Sequence, residues 1–174
     1  MSPERQKPNI SFEEVVSQAK ETILRMGNHV PALIVEGDKK LVYGEILDLP
    51  PTHGERMNLL RFLGQTSAKS AVIGKLNKAY MVTEGWMSTV GEDKPSNLRP
   101  SQDPEKKEVL IISGIEIQDN KKRIMVYEII RNKNKKIDHL EELFSDTDNE
   151  KMAESPLLDA FVDGFQNAFR ARYN

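Results

Sequence analysis

The sequence predicts an α+β protein: one curved, mostly antiparallel sheet of about five strands packed with three to four helices. Three observations lead there. Two pairs of apolar runs are separated by short turn-forming tetrapeptides, Glu36-Gly37-Asp38-Lys39 and Gln118-Asp119-Asn120-Lys121, which read as hairpins and therefore as antiparallel pairing. Two capping boxes and a Ser-Pro pair open segments whose apolar residues recur at helical spacing. Gly44, Gly74, Gly85 and Gly114 each fall inside or at the end of a strand pattern. Isolated strand glycines mark bulges, bends or close approach of another backbone, so four of them predict strong curvature, with the sheet wrapped around one helix.

The chain has 174 residues, 38% of them hydrophobic, which is enough to bury one core without covalent staples. Residues 1–10 read as a flexible arm and 11–174 as a single domain with a long loop at 87–107. In order, Ser11 and Glu14 form a capping box, and Phe12, Val15, Val16, Ala19, Ile23 and Met26 share a stripe ending before Gly27, so 12–26 is a helix. Residues 32–35 make a short buried strand, turning back into 41–47, and Pro50-Pro51 ends the pair. Thr52 and Glu55 open a second helix of about 15 residues, with Met57, Leu60 and Leu63 inward, fading near Ala68. Residues 71–83 read as a long strand. Pro95, Pro100 and Pro104 mark the loop that follows. Residues 108–117 and 123–130 form the second hairpin, and Val109 to Ile112 is apolar on both alternating faces, as in a central strand. Residues 137–144 read as a short helix. Ser155 and Pro156 then cap a last helix to about Arg172, with Leu158, Phe161, Val162, Phe165 and Phe169 on one face. That face must bury itself against the sheet or another subunit. The expected order is α-β-β-α-β-β-β-α-α.

Charge and missing motifs narrow the function. Lys+Arg 25 against Asp+Glu 27 leaves a net charge of -2, so no overall field draws in nucleic acid or an anionic membrane. The absence of cysteine removes disulfides, thiolate nucleophiles and cysteine-based zinc sites. Apolar runs are far too short to span a membrane, and residues 1–11 lack the apolar core of a secretory signal, so a cytoplasmic protein is expected. There is no G-x-S-x-G, G-x-G-x-x-G or G-x-x-x-x-G-K-[ST] motif, and His29, His53 and His139 stand singly.

The position that stands out is Glu84, in the run LNKAYMVTEGW (76–86). It shares an alternating face with Tyr80, Val82 and Trp86, where a carboxylate is costly unless paired or at the rim of the sheet. Glu84 is the catalytic candidate should there be a reaction, as base or metal ligand of a small hydrolase. Trp86, Tyr80, Met87 and Arg99 are the binding candidates, tryptophan being favoured at interaction hot spots. Convergence of Glu36, Glu45 and Glu84 would make a hard-oxygen metal site, and Asp38-Lys39-Lys40 has the D-x-K order of metal-dependent nucleases. The reading adopted is plainer: Glu36 in the hairpin turn, Glu45 in solvent, Glu84 paired with a Lys or Arg, with no metal or cofactor. Residues 121–136 hold seven basic residues against one acid, and 138–154 seven acids against one base. Without exposed aromatic residues among the cations, a solvated or mutually neutralising pair of faces is expected over nucleic-acid binding.

Taken together, HVPALIVEGD (29–38), MVTEGWM (81–87) and PSNLRPSQDPEKKEVLIISG (95–114) resemble a pattern of small bacterial and phage-borne α+β proteins of unknown function. In that pattern a short P-x-hydrophobic-E-G strand precedes a V-x-E-x-W strand end, a proline-rich loop and an E-V-L strand. The resemblance covers roughly 29–130. It carries no activity, and implies only that Glu84, Trp86 and the loop over 95–108 are the region to test. The expected function is a non-enzymatic protein–protein interaction module acting as a homodimer.

Overall fold

One antiparallel sheet, open and curled, runs in the order β2-β1-β3-β4-β5-β6. Its strands are β1 (Ala32–Gly37), β2 (Leu41–Glu45), β3 (Leu76–Met87), β4 (Lys107–Glu116), β5 (Lys121–Arg131) and β6 (Ile137–Asp146). Helix α1 (Phe12–Met26) covers one face, and α2 (His53–Lys69) and α3 (Pro156–Tyr173) cover the other. The computed structural model describes residues 9–88, 99–146 and 155–173. Most of the expected N-terminal arm (1–8) and the middle of the long loop (89–98) lie outside that range. Among the described residues no helix is long and apolar enough to cross a membrane.

Strand alternation divides the core in two. Ile34, Tyr80, Val82, Leu110, Ile112, Tyr127 and Ile129 meet Phe12, Val15, Ala19 and Ile23 of α1. Leu33, Val35, Ala79, Met81 and Ile115 meet Leu60 and Ala68 of α2 and Leu158, Phe161 and Phe165 of α3. Burial on both faces is why these central strands read as continuous apolar runs. Both capping boxes form, and Gly27, at φ 82°, closes α1 by donating its amide to the Ile23 carbonyl. Met26, counted in the apolar stripe, is instead 65% exposed. The α1 stripe turns off the sheet one position earlier.

Helices α2 and α3 cross at backbone contact. A Cβ on Gly64 would lie 2.1 Å from the Phe161 carbonyl oxygen, and one on Gly164 would lie 2.2 Å from that of Arg61. Each glycine is the slot for the other helix. Ser155 precedes α3 as expected and its carbonyl accepts from Asp159, but its hydroxyl donates to the Ser113 hydroxyl at 3.0 Å, tying the helix start to β4.

Three elements differ from the sequence expectation. The segment over 137–144 is not a helix but part of the sixth strand, β6. Its register with β5 slips twice, since Arg131 faces Ile137 while Ile130 faces His139, and Tyr127 faces Glu142 while Val126 faces Phe144. Each slip inserts one β6 residue. Ile137 and Leu140 therefore both pack toward α1 although three residues apart, a spacing that imitates a helical turn. Strand β3 begins at Leu76 rather than 71, after a bend in which Ala71 (φ 57°) and Gly74 (φ 78°) are left-handed. The four glycines do not act alike. Gly114 takes the Tyr80 and Phe12 rings against its α-carbon and Gly74 abuts the Asp38 carboxylate. Gly44 has open space around it, and Gly85 meets only the tip of Ile111.

Candidate functional site

Strand β3 outlasts its neighbour. Its ladder with β1 stops at Val82, opposite Ala32, whereas its ladder with β4 continues to Met87, opposite Lys107. The last residues of β3 therefore have a strand on one side only. A cleft of about 800 Å³ opens beside them. Its walls are Pro51, Thr52, His53 and Arg56 at the start of α2, Glu84, Gly85 and Trp86 on β3, Arg99, Pro100 and Ser101 around the one-turn 3₁₀ helix at Pro100–Gln102, and Glu108 on β4.

The two acids are already engaged. Glu84 accepts the His29 backbone amide, and Glu108 takes a two-pronged bond from Arg131, Nε at 2.7 Å and a terminal nitrogen at 2.6 Å. Arg131 also donates to the carbonyls of Gly27 at 3.2 Å and Lys135 at 3.1 Å. Together they fasten the connector between α1 and β1 to the sheet. Burial raises the Glu84 pKa above the ordinary carboxylate value and the nearby Glu108 charge acts the same way, opposed by the His29 amide and Arg131.

The cations are less committed. Arg56 donates through Nε to the Pro50 carbonyl at 2.6 Å. Neither Arg56 nor Arg99 has a carboxylate partner among the described residues. Trp86 is 48% exposed, with the Lys106 ammonium 4.6 Å from its ring centre. Beneath the rim, buried Asp103 accepts the Ser88 hydroxyl and, at 2.9 Å, the Glu105 amide. This Asx turn pins the returning loop to the end of β3.

The fold thus brings together Glu84, Trp86 and Arg99. Met87 points to the opposite face of β3 and is not part of the lining, and Tyr80 is buried under α1 with its hydroxyl on the Ile10 carbonyl at 2.9 Å. Arg56, Asp103, Glu108 and Arg131 join the site without having been singled out in the sequence. The Asp-Pro step at 103–104 was a usable turn signal. Nothing local marks Arg131 as a site residue, since Glu108 and Gly27, which it ties together, lie 23 and 104 positions away.

The other acids scatter. Glu36 lies in β1 rather than in the hairpin turn, buried, and there accepts the Ile10 amide at 2.8 Å and faces the Lys78 ammonium at 3.7 Å. Glu45 is exposed on β2 beside Tyr43, and Asp38 caps the bend before β3 by accepting the Lys75 amide at 2.8 Å. No group of three or more His, Asp or Glu side chains suited to a metal occurs among the described residues. The basic block is dispersed too: Lys122 pairs with Asp159 at 2.9 Å, Arg123 with Glu13 at 2.6 Å and Arg131 with Glu108. No family model, no curated protein and no solved structure matches the chain.

Proposed function

We propose that this protein is a non-enzymatic interaction module that works as a homodimer and takes an extended, acidic segment of a partner protein into the Trp86 cleft. One observation carries the reading: a half-exposed indole stands beside two arginines that lack carboxylate partners among the described residues, while the acids of the same cleft are held by His29 and Arg131. Such a rim offers an apolar anchor and charge for a carboxylate-bearing chain. Trp86 is the sole tryptophan, so its emission reports the cleft directly. Titration with a pool of Asp/Glu-rich peptides should change that emission, lose affinity as salt rises and weaken in Arg99→Ala. An equal response to a Lys-rich pool, or none to either, removes the proposal.

A second reading rests on Glu84, a carboxylate of raised pKa lining the same cleft. It would serve as general base for water in a small hydrolase. Turnover of an ester or glycoside panel that is abolished by Glu84→Gln would establish it over the first.

A further inference from the structure

The two edges of the sheet are built differently. On β6 the outer strand carries Asp138, His139, Glu141 and Glu142 and slips register twice, devices that stop another strand from adding. Strand β2 has neither bulge nor proline, and presents Leu41 (40% exposed) and Tyr43 (57% exposed). Its hydrogen-bonding groups can be assigned. Gly37 donates to the Lys40 carbonyl and Ile46 to the Pro31 carbonyl, so in the β1–β2 register, with Val35 opposite Val42, Lys40, Val42, Gly44 and Ile46 turn their backbone toward β1. Leu41, Tyr43 and Glu45 turn theirs outward.

We infer that a second copy of this chain occupies that edge, the two β2 strands pairing antiparallel about a twofold axis at Val42. This rests on the homodimer reading above and names its surface. A twofold perpendicular to the sheet pairs residues of the same face, and centring it on Val42 sets Leu41 against Tyr43 of the other copy, twice. Both are residues with outward amides and carbonyls, so each pair exchanges its backbone bonds. The same pairing carries Lys39, in the turn two residues before one strand, toward Glu45, at the end of the other. Charge along β2 is therefore self-complementary only in the antiparallel sense: Lys39 and Lys40 lead in and Glu45 closes. Exposed apolar side chains extend the contact. Leu47, 85% exposed, follows the strand, and Val72, 46% exposed, adjoins Ile73, whose carbonyl accepts the Lys39 amide. Antiparallel pairing carries each Leu47 toward the end at which the other copy bears Val72. An edge of five residues is a small interface, so the dimer is a weak, concentration-dependent one.

Sedimentation equilibrium of the full chain, from micromolar to millimolar concentration, tests this. The wild type should show a reversible monomer–dimer equilibrium. Glu45→Lys should weaken it about tenfold, because like charges meet in both symmetry-related pairs, and Lys39→Glu combined with Glu45→Lys should restore it. Tyr43→Pro, which removes an outward amide, should abolish it, with circular dichroism reporting that the monomer still folds. A dimer indifferent to these exposed substitutions overturns the β2 surface and leaves the homodimer reading standing. A monomer at every concentration overturns both.

Discussion

At Glu84 a single oxygen joins Arg131 in holding the connector between α1 and β1 to the sheet, and the two ways of altering the residue have different expected outcomes. Glu84→Ala leaves the His29 amide without its acceptor and should cost about 1–3 kcal/mol in urea unfolding. Glu84→Gln keeps an amide oxygen in place of the carboxylate and should be nearly neutral. Its pH dependence follows from the raised pKa. The folded state holds the Glu84 proton more tightly than the unfolded chain does. The stabilisation from this group is thus complete below the unfolded value and lost as pH rises through the folded one. Wild type should therefore weaken relative to Glu84→Gln as pH rises above the ordinary glutamate value of about 4.3, as read by paired denaturation curves. Glu13, Glu14 and Glu55 run the other way, their pKa values lowered by Arg123, by the Ser11 amide and by the Thr52 hydroxyl respectively. They favour folding above the unfolded pKa and lose that contribution on acidification. What could be read from sequence at this scale was the anomaly of Glu84 on an apolar face. Its partner was not readable, because His29 contributes a backbone amide and any residue could have supplied it.

Among the elements, the crossing of α2 and α3 is the least forgiving. Gly64→Ala and Gly164→Ala each push a methyl into a facing carbonyl, and each should lower stability by about 1–3 kcal/mol or more, a fall of several degrees in thermal melts. Gly44→Thr, with open space around the new side chain, should be tolerated and serves as the control. The helices were legible because their signals are local: both capping boxes and the αL glycine at position 27 lie within four residues of the ends they define. Strand β6 was not, because its two inserted residues replace alternation by a three-residue spacing and the bulges exist only against β5. The glycine slot was equally silent, since Gly64 and Gly164 sit 100 positions apart and neither has a positive φ.

For the molecule as a whole, the sheet sandwiched between α1 and the α2–α3 pair implies a gradient of protection. Amide exchange followed by mass spectrometry should be slowest in β1, β3 and β4, which are bonded on both sides and buried on both faces, and faster in the edge strands β2 and β6. The outward amides of Leu41, Tyr43 and Glu45 should slow further as concentration rises, whereas those of β6 should not. The fold class followed from hairpins and amphipathic stripes. The cleft did not, because it exists where β3 outruns β1, a mismatch of ladder lengths that only the assembled sheet possesses.

Two kinks and a row of carboxylates along β6 also decide how far self-association can proceed. A filament needs two sticky rims per subunit, one to receive and one to offer. With the β2 pairing inferred above, only one rim is adhesive, so joining two subunits would consume every site of growth and leave bent, negatively charged strands facing outward at both extremities. Polymerisation would then end at its first step, and crowding should favour pairs over fibres.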